Sequence, residues 1–170
     1  TFQIDENDSI MANLVAREFN SITAENEMKS IQIHPAKDSF NYEYADKFVA
    51  LGEKHNMFIH GHTLIWHSQL SPWIQSIKDS TEMAEALKGH INAVAGRYKG
   101  KIHSWDVVNE ALNEDGTLRK SVFLEVMGED YLPLAFKWTS EVDPDTELYY
   151  NDYNMANPEK RAGAIRLVKS

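Results

Sequence analysis

Apolar positions along the chain fall into two alternating kinds of run. Continuous stretches at 19–22, 58–65, 102–108 and 148–150 have the length and apolar character of buried strands. Between them the spacing turns helical. Ile10, Met11, Leu14 and Val15 form one stripe behind a candidate Asp8 cap, and Tyr44, Ala45, Phe48 and Val49 form another. Met83, Leu87, Ile91, Val94 and Tyr98 mark a third helix. Leu132, Ala135, Phe136, Thr139 and Val142 mark a fourth, whose Pro133 is tolerable only near the first turn. The tail from Pro158 opens a fifth, with Ala162, Ile165 and Val168 as its apolar positions.

Strands alternating with helices predict parallel pairing through right-handed crossovers. With no linker or low-complexity segment, residues 1–170 read as one continuous unit without a second domain. The strands recur too far apart for a tight repeat, so large loops are expected. On periodicity alone a doubly wound sheet and a (β/α)8 barrel both remain open. No glycine-rich phosphate turn follows any strand, which weakens the nucleotide-binding form of the first.

The polar residues favour the barrel. Each strand runs into a dense polar or aromatic end: Thr23 to Asn26, then Thr63 to Gln69, Asn109 to Ala111, and Asn151 to Asn154. Barrel enzymes gather their chemistry at the C-terminal ends of several strands at once.

Composition narrows the partners. A net charge of −9 argues against nucleic acid and anionic membrane surfaces, which need clustered Lys and Arg. No apolar run reaches the length of a membrane span. The absence of Cys excludes disulfides and thiolate metal sites. A neutral substrate is the easier fit, and the rings of Trp66, Trp73, Trp105 and Trp138 suit sugar faces, although buried rings are the plainer reading of most of them.

Glu110 is the leading catalytic candidate. It follows an apolar strand, beside Asn109 and close to Trp105. A carboxyl among apolar groups can keep its proton near neutral pH, and a neutral acid can protonate a departing oxygen. A solvated Glu capping the next helix is the competing reading. Glu25, Asn26 and Lys29 form a fork suited to sugar hydroxyls, or a local Glu25–Lys29 ion pair. His62, Trp66, His67 and Gln69 set a flat ring among hydrogen-bonding groups. His60 and His62 point to one face of their strand, as in metal-dependent barrel hydrolases, where Glu110 and Asp152 could add ligands. A hydrogen-bonded interior His60 is the alternative.

Four segments together carry a resemblance. Phe19-Asn20-Ser21-Ile22-Thr23-Ala24-Glu25-Asn26-Glu27-Met28-Lys29, Gly61-His62-Thr63-Leu64-Ile65-Trp66-His67-Ser68-Gln69, Trp105-Asp106-Val107-Val108-Asn109-Glu110-Ala111 and Tyr150-Asn151-Asp152-Tyr153-Asn154 stand in the order and spacing of strands two to five of glycoside hydrolase family 10. The chain thus resembles part of a retaining endo-β-1,4-xylanase barrel. The resemblance implies Glu110 as acid/base and Asn109 contacting the sugar at the scissile bond. It implies His62 and Trp66 in the same glycone subsite, with Glu25, Asn26, Lys29 and Gln69 around the next sugar. Tyr153 and Asn154 would lie toward the leaving group. Xylan or a xylo-oligosaccharide is the implied partner, with no metal or cofactor, at an extracellular or periplasmic location.

One departure stands out. The family nucleophile is a second Glu in a Thr-Glu-Leu/Ile-Asp context on a later strand. Here Thr146-Glu147-Leu148 opens the last strand, at the wrong end of the barrel, and is a decoy. Only about strands two to five are expected. A complementary C-terminal half-barrel, from the same parent protein or another chain, should be needed for turnover. A non-catalytic carbohydrate-binding fragment is the competing outcome.

Overall fold

The computed structural model describes residues 9–169, so the Asp8 cap lies outside the described residues. The order is α1 (Ser9–Glu18), β1 (Ser21–Thr23), α2 (Ser30–Ile33), α3 (Glu43–Lys54), β2 (Phe58–Trp66), α4 (Pro72–Gln75) and α5 (Ser80–Arg97). There follow β3 (Ser104–Asn109), α6 (Val122–Met127), α7 (Tyr131–Val142), β4 (Glu147–Asn151) and α8 (Pro158–Lys169), with a 3-10 turn at Gly128–Asp130.

Four strands form one parallel sheet in the order β1-β2-β3-β4. Each strand pairs with its successor, and no reversal occurs. A doubly wound sheet requires such a reversal, whereas a barrel wall does not. The register pairs Thr23 with His60, His60 with Ser104, and Ser104 with Glu147, which sets the end of β1 beside the N-terminal parts of β2, β3 and β4. Farther along, Trp66 pairs with Asn109 and Asn109 with Asn151. The polar segments therefore converge on one rim.

Two strands begin later than their apolar runs suggest. Phe19 still donates its N–H to the Val15 carbonyl at 3.1 Å, and Ile102 donates to the Tyr98 carbonyl at 3.1 Å. Both residues belong to the turns that leave helices. The short helices α2, α4 and α6 carry too few turns for a periodic stripe and have no counterpart in the apolar pattern.

The main core lies between the sheet and α3, α5 and α7. It includes Val49, Ile59, Ile65, Met83, Leu87, Ile91, Val94, Trp105, Val107, Ala135 and Trp138. Asp79 caps α5 by accepting the Glu82 N–H at 2.8 Å, and Ser121 caps α6 through the Leu124 N–H at 3.3 Å. Arg97, closing α5, grips Asp46 of α3 with two bonds of 2.8 and 2.6 Å. That guanidinium holds the Asp46 carboxyl below the usual carboxylate range. Gly61 is required on β2 because a Cβ there would land on the Trp105 ring of the neighbouring strand.

The outer helices depart from their predicted stripes. Ile10 and Leu14 of α1 are exposed, at 81% and 41%. On α8 the buried face is Lys160, Gly163 and Ala164, while Ala162, Ile165 and Val168 face outward. The reason is backbone contact. Gly163 sits against Gly116 so closely that a Cβ on either glycine would strike the other segment's backbone. The opposite sheet face is an open concavity of about 430 Å³ lined by residues such as Thr23, Phe58, His60, Asp106 and Tyr149.

Candidate active site

Glu110 directly follows β3, an inner strand in which all six residues are buried. Its backbone takes φ 56°, a left-handed conformation that a non-glycine residue keeps only when its surroundings enforce it. The enforcing contacts are explicit. The Glu110 N–H donates to the Asn151 carbonyl of β4 at 2.8 Å, and its own carbonyl accepts from Arg119 Nε at 3.0 Å. The next amide, of Ala111, donates to the Tyr150 hydroxyl at 3.1 Å. The side chain is held as well, since Trp66 Nε1 donates to Glu110 Oε2 at 3.0 Å.

The indole beside Glu110 is thus that of Trp66, not Trp105. Trp105 is fully buried in the core and packs across Gly61, because strand alternation turns it away from the mouth. The carboxylate is also not a helix cap: α6 begins twelve residues later and is capped by Ser121.

The remaining rim residues extend from this point in two directions. On one side, Lys29 is buried, donates to Asn26 Oδ1 at 3.0 Å and lies 4.8 Å over the Trp66 ring. Glu27 fixes that loop by accepting the N–H groups of Glu25 and Asn26 at 3.0 and 2.9 Å. Gln69 has φ 44° and accepts the Ile31 N–H through its carbonyl at 3.0 Å, which ties the β1 and β2 ends together. Asn109 is buried, and its amide meets that of Asn151 at 2.8 Å. On the other side, Tyr153 is exposed, and its hydroxyl accepts from Arg119 at 3.1 Å. Asn154 donates to Glu114 Oε2 at 3.3 Å and contributes to the loop framework.

Below the rim, His60 and His62 converge on Asp106. His60 Nε2 and His62 Nδ1 lie 3.0 and 2.8 Å from Asp106 Oδ2, and His60 Nδ1 lies 2.6 Å from Ser104 Oγ. Burial would raise the Asp106 carboxyl, but the bonds from both imidazoles outweigh it and leave the group below the ordinary aspartate range. An ionised Asp106 accepts only, so both rings donate to it. The face-sharing expected of His60 and His62 is present, and their shared partner is a carboxylate from β3. Among the described residues no cluster of three or more His, Cys, Asp or Glu is placed to hold a metal ion.

Several contributors were not singled out from the sequence. Arg119, Tyr150, Asp106 and Lys160 each act through contacts across strands or loops. One signal was available for Asp106: His60–Ser104 and His62–Asp106 share a single sequence offset, as laterally paired parallel strands must. His67 also lines the pocket with Glu110 and Arg119, and burial, then Arg119, lowers its pKa.

With this geometry in place, comparison with known proteins is decisive: Glycosyl hydrolase family 10 matches residues 3–170. The chain belongs to that family. It is 50% identical over 154 residues to endo-1,4-beta-xylanase 1 of Gibberella zeae, covering 89% of this chain and 44% of that protein. With endo-1,4-beta-xylanase 2 of Claviceps purpurea it shares 43% identity over 148 residues, covering 87% of this chain and 46% of the other. Xylanase 10B from Thermotoga petrophila, solved in complex with xylobiose, superposes with a TM-score of 0.90 at 42% identity, covering 93% of this chain and 49% of that one. A family 10 endoxylanase from a sugarcane soil metagenome gives a TM-score of 0.92 at 43% identity, covering 96% and 49%. The chain therefore spans about half the length of these relatives. Its sheet corresponds to part of their (β/α)8 barrel.

Proposed function

We propose that this chain supplies the acid/base half of an endo-β-1,4-xylanase that cleaves internal xylan bonds with retention. The observation that carries the reading is the posture of Glu110. Its carboxylate accepts from the Trp66 indole at the mouth of β3, and the backbone is bonded at its own N–H, at its own carbonyl and at the next amide. A positioned carboxylic acid is what protonation of a glycosidic oxygen requires. Supporting it, Lys29 and Trp66 join the ends of β1 and β2 into one surface for the glycone side. His62 and Asn109 line that side near the bond, and Glu25, Asn26 and Gln69 serve the sugar farther out. Tyr153 and Asn154 lie beyond Arg119, on the leaving-group side.

Retention needs a second carboxylate about 5–5.5 Å from the first. Glu147 is not that group: it pairs with Ser104 at the start of β4, at the far end from Glu110. The nucleophile then comes from a complementary half-barrel, which also covers the open sheet face and the exposed sides of α1 and α8.

The test is an assay of the chain with and without that half on xylan, with binding of xylo-oligosaccharides measured in parallel. Binding by the chain alone and turnover only after completion is the expected result. Binding that never becomes turnover would instead make the chain a carbohydrate-binding remnant. A chelator should leave turnover unchanged; loss of activity would return His60 and His62 to consideration as metal ligands.

A further inference from the structure

We propose that Tyr150, braced by Asp152 and Lys160, is a positioning residue that holds Glu110 in its working posture through the amide of Ala111. This rests on the reading of Glu110 as the acid/base.

The peptide joining Glu110 to Ala111 is bonded at both ends, by Arg119 Nε on its oxygen and by the Tyr150 hydroxyl on its N–H. Rotating that peptide about the left-handed Glu110 breaks both bonds at once, so the plane is locked. The polarity of the Tyr150 link is fixed. The Ala111 amide can only donate, so the phenol oxygen accepts from it and its proton goes to Asp152 Oδ2. Burial, and then the bond to Asp152, keeps the phenol protonated by raising its pKa.

Asp152 is anchored in turn. Its Oδ1 accepts from Lys160 Nζ at 2.9 Å and from the Tyr153 N–H at 2.8 Å. The side chains of Asp152 and Lys160 both have 0% exposure. Lys160 also reaches Glu114 Oε1 at 3.1 Å, in the loop that follows Glu110, and sits 3.6 Å over the Tyr153 ring. A fully buried ion pair is a poor way to add stability, because desolvation consumes most of the attraction. What it does supply is direction. Here that direction runs from α8 through β4 to the residue after the acid.

The experiment uses Tyr150→Phe, which removes one oxygen. In the 170-residue chain, the Ala111 amide should exchange with solvent at least about tenfold faster while the rest of β3 keeps its protection. In the chain completed by its other half, kcat on xylan should fall about tenfold to a hundredfold with KM nearly unchanged. Aryl xylosides with activated leaving groups, which depart without protonation, should lose much less in the glycosylation step. A lower melting temperature with kcat per folded molecule and leaving-group dependence both unchanged would overturn the proposal. Should Tyr150→Phe not fold, Asp152→Asn is the second variant, and the same two unchanged readouts in it would overturn the proposal as well. Glu110→Gln runs in parallel. If that variant keeps full turnover, the acid reading fails first and the relay falls with it.

Discussion

A left-handed glutamate at a strand end has few ways to persist, and Glu110 uses all of them: a bond on its N–H, one on its carbonyl, one on the next amide and one on its carboxylate. In the completed enzyme Glu110→Gln should lower turnover on poor leaving groups about a hundredfold or more, with smaller losses for activated aryl xylosides. Equal losses in glycosylation, measured by pre-steady-state kinetics, would remove Glu110 from the acid role. A second prediction concerns the buried imidazoles of His34 and His90, whose Nδ1 atoms meet at 3.1 Å. His34 Nε2 donates to the Lys37 carbonyl, so when that ring is neutral its Nδ1 accepts from His90 Nδ1. Burial, followed by the charge of His34, lowers His90 to about 3, and burial also lowers His34. An unfolded His titrates near about 6.5, so below that pH the unfolded chain binds more protons and stability falls. The contribution of His90 is complete above about 6.5 and is lost progressively toward about 3, and His34 adds to it in the same direction. Thermal melts from pH 8 to 4 should show this decline, and His90→Leu should flatten it. An unchanged slope would show that other groups carry the acid sensitivity.

At the level of elements, α8 is docked by shape and charge more than by an apolar stripe. Gly163 packs on Gly116, Lys160 is buried among Glu114 and Asp152, and Arg166 donates to the Gly116 carbonyl at 3.2 Å. Adding one methyl at Gly163 pushes the helix off the loop that follows Glu110. Gly163→Ala should therefore destabilise the chain by about 1–3 kcal/mol, read from urea unfolding. Exchange should rise first in residues 111–119 and in α8. A variant as stable as its parent would show that the helix slides to absorb the methyl at no cost.

On the scale of the whole molecule, the sheet is covered on its helix side and open on the other. Parallel strands are ordinarily buried on both faces, yet β4 leaves Glu147, Tyr149 and Asn151 exposed and Phe58 of β2 is 41% exposed. The edges at β1 and β4 also end the ladder. In isolation the chain should form dimers or larger species, measured by light scattering after size exclusion, and a complementary half should suppress them. A sharp, monomeric, cooperative melt of the chain alone would contradict this.

Much was legible in the residues themselves. The apolar runs located four strands because strand and helix periodicities differ along any chain. The polar strand ends located the rim because parallel strands all point the same way. Glu110 and its neighbours were readable as a linear segment. What the linear order could not contain was contact across strands. That Trp66 rather than Trp105 touches Glu110, that Asp106 claims both His60 and His62, and that Lys160 serves Asp152 all depend on register. So does the buried face of α8, which was chosen by a glycine contact with a loop more than forty residues away. Periodicity is a local property, carried by each segment's own side chains. Hydrogen-bond partners and close backbone approach are non-local, and they exist only once the sheet has set its register.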